Sequence, residues 1–401
     1  MSQFLIITTL ACIVLQGFHY VGYPAIMLAL ASLRPRPVDK RPLTPTVSMI
    51  ISAFNEAETI LAKLQNTLEL DYPQLEIIVV SDGSDDGTPA MVERFAGQSG
   101  GRAIIGLHDP RRRGKGAAMN RGAAVATGEI LVFSDANAFY LTDALRRLVA
   151  GFADPSVGCV SGRKMVKAAD AQGRVSPVGE PDGWYWRYEN RIRCWESAVG
   201  STVSVVGEIL AIRRALYRPV PETIINDDAY LGLAVQRSGY RVVCEETAVC
   251  WEYPSTSVRD EVARRRRMTA GRYQILLRPA NWPWQRPQAV FSLFAHKFLR
   301  LLLPLLMVGA LLGNAALALD WPMPAPMLVL LVLQAGFYGL ALLGLLLERS
   351  GRKWRLPHVA YYLTASNLGA LHGLIGYARG TQGVLWAKAR RTPILESADQ
   401  P

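Results

Sequence analysis

Three acidic clusters and two basic runs in this 401-residue chain have the residue types and spacing to do chemistry. Asp82 follows the apolar run Ile77-Ile-Val-Val-Ser81, and Asp135 follows Ile130-Leu-Val-Phe-Ser134, with Asn137 two residues on. Two carboxylates at strand ends can hold a divalent cation against a diphosphate, or accept hydrogen bonds from a base and ribose. Asn137 would add a neutral carbonyl oxygen. The bland alternative is that strand-end aspartates form turns and cap helices, and Ser81-Asp-Gly-Ser-Asp-Asp-Gly87 has that composition. Recurrence at matching strand ends favours the ligand reading.

Asn226-Asp227-Asp228 opens a helical stretch. Acids there favour the helix dipole, and one of the pair can also take a proton from a hydroxyl as a general base. Arg111-Arg-Arg-Gly-Lys-Gly116 places a cation and backbone donors ahead of another helix, an arrangement suited to phosphate. Its spacing is not that of a Walker loop, and a solvated basic loop is the alternative. In Arg264-Arg-Arg-Arg267, residues three apart share a helix face, so one arginine can reach a diphosphate while others meet lipid headgroups.

These residues need a scaffold that brings strand ends together. Aliphatic runs at Val47–Phe54, Ile77–Ser81 and Glu129–Ser134 predict parallel strands buried on both faces. The first leads into Asn55-Glu56. Helical stretches at 57–70, 89–97 and 115–127 separate them. Strand and helix in alternation predict a doubly wound α/β sheet, whose ligands bind at the carboxyl ends of the strands. Further strands are expected at 158–163, 202–212, 240–244 and 248–251, with helices at 182–197, 224–239 and 258–274. The 182–197 stretch mixes three tryptophans with arginines, which suits a helix on a membrane surface or an aromatic core helix.

Hydrophobic residues make up 50% of the chain, and the excess is concentrated. Residues 4–33, 301–319 and 327–347 carry almost no charge, and roughly 20 apolar residues span a bilayer. The first lacks the basic start and cleavage site of a signal peptide, so a retained membrane helix is expected. Residues 358–377 form a weaker candidate, diluted by Asn367 and two histidines. The net charge of +11 gathers at membrane boundaries: Arg34, Arg36, Lys40 and Arg41, then Lys297 and Arg300, then Arg349 to Arg355. By the positive-inside rule these lie in the cytoplasm, together with the domain between them. That distribution, with no recognisable nucleic-acid module, argues against nucleic acid as partner. Five cysteines without metal spacing are expected to be reduced thiols. The expected organisation is a membrane helix (1–33), a proline-rich linker (34–46), a cytoplasmic α/β domain (47–280), an interfacial segment (281–300), membrane helices (301–378) and a basic tail (379–401).

In order, the motifs Ser52-Ala-Phe-Asn-Glu56, Val80-Ser-Asp-Gly-Ser-Asp-Asp-Gly-Thr88, Gly114-Lys-Gly-Ala-Ala-Met-Asn-Arg-Gly122 and Gly128-Glu-Ile-Leu-Val-Phe-Ser-Asp-Ala-Asn137 resemble those of membrane-integrated family-2 glycosyltransferases. These inverting enzymes with the GT-A fold include cellulose, hyaluronan and chitin-oligosaccharide synthases. The resemblance runs from Val47 to Arg272. It implies that Asp82, Lys115 and the Asn55-Glu56 end bind a nucleotide-sugar donor, most simply a UDP-sugar. It implies Mg2+ or Mn2+ at Asp135 and Asn137, and Asp228 as catalytic base with Asp227 beside it. Arg264 to Met268 stands at the Gln-x-x-Arg-Trp position, with Arg267 retained for the diphosphate and Arg264 beside it.

Asn137 departs from the family's acid, and Arg264 and Met268 depart from its glutamine and tryptophan. The implied function is transfer of one sugar, with inversion, to a lipid-linked or saccharide acceptor at the bacterial inner membrane, in envelope or exopolysaccharide synthesis. Membrane lipids are implied partners, and a homo-oligomer is compatible. A processive synthase is the alternative within the class. A transporter or a non-catalytic nucleotide-binding regulator is the alternative outside it, disfavoured because the acids gather outside the apolar spans and Asp228 is present.

Overall fold

The computed structural model describes residues 2–97, 103–169, 175–177, 183–253, 258–319, 322–352 and 354–385. The expected turn at 320–326, the loop through Glu180 and the basic tail lie wholly or partly outside the described residues. The chain forms two compact units. One consists of Met27–Ala263, Gln274–Ser292 and Gly383–Pro401; the other of Met1–Ile26, Arg264–Tyr273 and Leu293–Gln382.

The first unit holds a nine-stranded sheet. Its strands are β1 (Val47–Ala53), β2 (Leu75–Asp82), β3 (Ile104–Asp109), β4 (Ile130–Asp135), β5 (Phe139–Tyr140), β6 (Val157–Ala169), β7 (Val175–Pro177), β8 (Leu210–Arg213) and β9 (Arg241–Glu252). They run in the order β3-β2-β1-β4-β8-β6-β9-β5, with β7 paired to β6. The first four are mutually parallel, β8 is antiparallel to β4 and β6, and β9 is parallel to β6. The aliphatic runs are buried on both faces, as a sheet covered by helices requires. Chain order reverses on either side of β1, which makes the carboxyl ends of β1 and β4 the switch point where such sheets bind ligands. Register sets Ser52 opposite Asp135 and Ala53 opposite Ser81, so Asp82 and Asp135 flank β1 at one sheet edge.

The helices α3 (Ile60–Leu68), α4 (Thr88–Ala96), α5 (Lys115–Val125), α6 (Ala144–Ala150), α7 (Gly183–Val199) and α8 (Asp227–Arg237) complete this unit. Ahead of α3, Asn55 sits at φ 53°, a conformation that asparagine tolerates better than most residues. Its amide is bonded to Asp85, and its N–H donates to Ser84 Oγ, so the ends of β1 and β2 are tied loop to loop.

The strand expectations need correction. Residues 202–209 are not strand; only Leu210–Arg213 pairs, because the sheet partner β4 offers four positions to it. The two late strands are one, Arg241–Glu252. Residues 104–109 form an edge strand whose part-exposed, interrupted pattern lacks the solid aliphatic run of its neighbours.

An interrupted helix runs through α1 (Ser2–Gly17), a wide turn at Phe18–Gly22, and α2 (Tyr23–Leu33); it belongs to the second unit as far as Ile26 and to the first from Met27. The helix α9 (Val258–Leu276) crosses both units' ranges. It is followed by α10 (Pro287–Ser292) in the first unit, and by α11 (Leu299–Ala318), α12 (Ala325–Arg349) and α13 (Arg355–Ala378) in the second. Three helices among the described residues are long and apolar enough to cross a membrane: Gln3–Leu33, Pro287–Ala318 and Ala325–Arg349. Three of their polar side chains find partners inside the second unit: Gln16 Nε2 donates to Leu306 O, His19 bonds Ala295 O and Asn314 bonds Gln334. Residues 358–377 lie within one continuous helix, α13, packed against α12.

Candidate functional site

The loop ahead of α5 is built around Asp82, at the end of β2. Its buried carboxylate accepts the backbone N–H groups of Arg113 (3.1 Å) and Gly114 (2.6 Å) and the Arg121 guanidinium (2.9 Å). Arg121 also pairs with Asp109, at the end of β3. Gly114 has φ of 100°, a conformation that a side chain would strain. The loop turns there, and α5 begins with Lys115 at the strand ends. Arg112 lies over the Phe54 ring at 3.5 Å, closing the β1 side. Asp82 therefore organises the basic loop with both of its oxygens. Arg121 was not expected in this role; its position beside the Gly-Lys-Gly turn carries the only local signal.

Lys115 is the junction. Its Nζ lies 2.5 Å from Asp135 Oδ1 and 4.0 Å from Asp227 Oδ1. Its surrounding carboxylates, Asp135, Asp227 and Glu208, hold it protonated against the cost of burial. Asp135 Oδ1 is shielded from solvent and faces the Lys115 ammonium. A carboxylate oxygen that already holds one cation is suited to a hard divalent ion in its place, and Asn137 follows in the same turn. Among the described residues, no three His, Cys, Asp or Glu side chains converge as a protein-only metal cage. The residues fit a cation whose remaining ligands come from a bound diphosphate.

Asp227 and Asp228 form the first turn of α8. Asp228 Oδ1 accepts the N–H of Ala229 at 2.7 Å. Burial, and then the charge of Asp227, push its carboxyl up from 3.8 to about 6, against the opposing pull of Lys115. Gly207 makes room for it, since a methyl group there would sit 2.9 Å from Asp228 Cβ.

Next to Gly207, Glu208 pairs with Lys164 Nζ at 2.7 Å, and Lys164 reaches Glu252 at 2.6 Å. Lys164 and Lys115 together hold the Glu208 carboxyl well below its usual range despite burial. Neither Glu208 nor Lys164 was foreseen. The signal for Glu208 was a lone acid inside the apolar stretch 202–212.

The fold thus brings Lys115, Asp135, Asp227 and Asp228 into one cluster and gives Asp82 a second one on the far side of β1. Asn55 and Glu56 line that side: Glu56 donates its N–H to Thr88 Oγ1 and accepts from Thr59 Oγ1 at 2.7 Å. Arg264 and Arg267 stand on α9, in the range that belongs to the second unit, and Arg264 approaches Met268 Sδ at 3.9 Å.

Residues 48–218 match the family model described as glycosyl transferase family 2. Poly-beta-1,6-N-acetyl-D-glucosamine synthase of Staphylococcus aureus (strain COL) is 24% identical over 240 residues, 58% of this chain and 56% of that protein. The Staphylococcus epidermidis synthase of the same name is 24% identical over 245 residues, covering 59% and 57%. The match therefore spans little more than half the length of these curated relatives. Among solved structures, a mannosyltransferase from Pyrobaculum calidifontis in complex with GDP-Man and Mn2+ aligns with a TM-score of 0.72 and 27% identity, over 92% of this chain and 99% of that one.

Proposed function

We propose that this chain, which carries a glycosyl transferase family 2 domain with the GT-A fold, moves a sugar from a nucleotide-sugar donor to an acceptor hydroxyl with inversion. The observation that carries the reading is the cluster of Lys115, Asp135, Asp227 and Asp228 at the switch point of the sheet.

Lys115 and the N–H groups opening α5 would take the donor diphosphate, a use to which helix N-termini are suited. Asp82 and the Asn55-Glu56 end would frame the base and ribose, and Arg264 and Arg267 are the candidates for the departing diphosphate. Asp135 and Asn137 would hold Mg2+ or Mn2+, which offsets the charge that develops on the leaving group. Lys115, which here holds the Asp135 oxygen, would serve the phosphate instead once that carboxylate is engaged elsewhere.

In the transfer step the acceptor oxygen attacks the anomeric carbon, and its proton passes to Asp228. The bond from that carbon to the diphosphate breaks, and the nucleoside diphosphate departs with the electron pair. A base with a pKa near 6 is ionised at neutral pH yet basic enough to take a proton as the hydroxyl attacks. Burial, and then charge repulsion from Asp227, keep Asp228 in that range.

The apolar helices and the basic residues flanking them support a multi-pass inner-membrane protein with a cytoplasmic active site, acting on a lipid-linked or saccharide acceptor in envelope polysaccharide or glycolipid synthesis. Met268, in place of an aromatic platform, favours addition of one or few sugars. Polymerisation is the second reading, and the name of the staphylococcal relatives favours it. Membranes containing the protein, incubated with UDP-, GDP- and dTDP-sugars in turn, test the proposal. Transfer from one donor class, lost in Asp228→Asn, supports it; no transfer from any of them overturns it.

A further inference from the structure

The reading above uses Asp135 and Asn137, but the turn they share is fastened from outside. Lys63, on α3, is fully buried, 0% exposed. Its Nζ donates to Ala138 O at 2.5 Å, in the residue directly after Asn137, and lies 4.4 Å from the centre of the Tyr140 ring. Asn66, nearly one helical turn on, brackets the next residues: its Nδ2 donates to Tyr140 O at 2.9 Å and its Oδ1 accepts Tyr140 N–H at 2.8 Å. The turn itself is closed by Ala138 N–H donating to Asp135 O at 3.1 Å. Tyr140 extends the network, its hydroxyl donating to Glu208 O at 2.9 Å.

A buried ammonium is costly, and a methionine or leucine would fill the space beneath the sheet without that cost. Burial draws the Lys63 ammonium down to about 7, with Cys250 and then Asp135 pulling the other way. What the lysine supplies, and an apolar side chain cannot, is a donor aimed at one carbonyl of the 135–140 segment.

We propose that Lys63 is a positioning residue for the donor's cation: through Ala138 O it fixes the Asp135–Asn137 turn in the shape that presents the carboxylate and the amide oxygen together, with Asn66 securing the far end. This rests on the proposed function, in which that turn holds a divalent ion. Groups that orient metal ligands from behind typically contribute 10–100-fold to metal affinity.

The test is Mn2+ binding to detergent-solubilised full-length protein, read as loss of the free Mn2+ paramagnetic resonance signal, with UDP or GDP present. Lys63→Met and Asn66→Ala should each weaken Mn2+ binding by about tenfold or more. They should also raise donor KM and the Mn2+ concentration for half-maximal transfer, while acceptor KM stays unchanged. Asp135→Asn is measured alongside. If it abolishes Mn2+ binding while folded Lys63→Met and Asn66→Ala bind normally, the positioning role is wrong. Tighter binding in Lys63→Met overturns it as well, because that would make Lys63 merely a repelling charge. If Asp135→Asn itself binds Mn2+ normally, the metal site assigned to the turn is what fails. Should Lys63→Met not fold, Asn66→Ala, which leaves the buried charge in place, decides the matter.

Discussion

Lys115 Nζ is 2.5 Å from Asp135 Oδ1 and 4.0 Å from Asp227 Oδ1, so one ammonium joins the end of β4 to the start of α8. In the free protein this cation occupies the carboxylate that a metal would need. Lys115→Met should therefore bind Mn2+ more tightly than wild type when no nucleotide is present. Donor affinity should fall by about 10- to 100-fold, from about 1.5–3 kcal/mol for a charged hydrogen bond. Mn2+ titration with and without nucleoside diphosphate measures both; unchanged nucleotide-free binding would separate Lys115 from the metal site.

Asp228→Asn should lower kcat by about 10²–10⁴-fold while donor binding stays near wild type, because an amide cannot take the acceptor's proton. Wild-type turnover in this variant would move the base to Asp227.

The pH dependence follows from the same carboxyl. Its folded value of about 6 lies above the ordinary 3.8, so the protonated form is the one the fold prefers. Its contribution to stability is full below about pH 4 and is lost as pH rises to about 6. Activity has the opposite sense: kcat/KM should rise through an acid limb near pH 6. Denaturant midpoints between pH 4 and 7 should show the loss in wild type and a flatter profile in Asp228→Asn.

Gly207→Ala places a methyl group 2.9 Å from Asp228 Cβ and 3.3 Å from its Cγ and Oδ2. Asp228 must shift, so kcat should fall with little change in donor KM if it is the base. Overpacking of this kind costs about 1–3 kcal/mol, which a urea melt can read separately from the kinetics. Full activity with the predicted loss of stability would show that the position of Asp228 is not critical.

In the proposed metal site Asn137 would supply a neutral oxygen beside a single carboxylate, so the diphosphate would have to contribute much of the coordination. EDTA should stop transfer, and Asn137→Asp should tighten Mn2+ binding in the absence of donor. Sustained turnover in a metal-free assay would remove the cation from the mechanism.

Product length tests the Arg264 and Met268 departures. Methionine fills space without a flat face on which a sugar ring can stack. Products sized after incubation with donor should carry one or few added sugars. A ladder reaching high polymer would mean that another aromatic holds the growing end, with Trp195 and Trp251 the first to replace.

Much of this site is written in short segments. The solid aliphatic runs ending at Ala53, Ser81 and Ser134 determine buried parallel strands, because only a sheet covered on both faces makes every position of a strand apolar. Asp82, Asp135, Lys115 and Asp228 could be named because each sits where such a run or a helix ends, next to glycine or another acid. Three spans of apolar residues were equally legible, since their length against a bilayer is a property of the segment alone.

The tertiary structure decided what depends on residues far apart in the chain. It replaced the expected strand 202–212 by Leu210–Arg213, the four residues that find a partner in β4, and merged two expected strands into β9 along β6. It turned Asp82 toward its own loop, with the Gly114 N–H and Arg121 as partners and Arg121 held in turn by Asp109. Lys63 reads in sequence as one more lysine on a short helix, which ordinarily faces water. Only the packing of α3 beneath the 135–140 segment makes it a buried donor, because whether a charge is solvated or enclosed is decided by neighbours that no local pattern specifies.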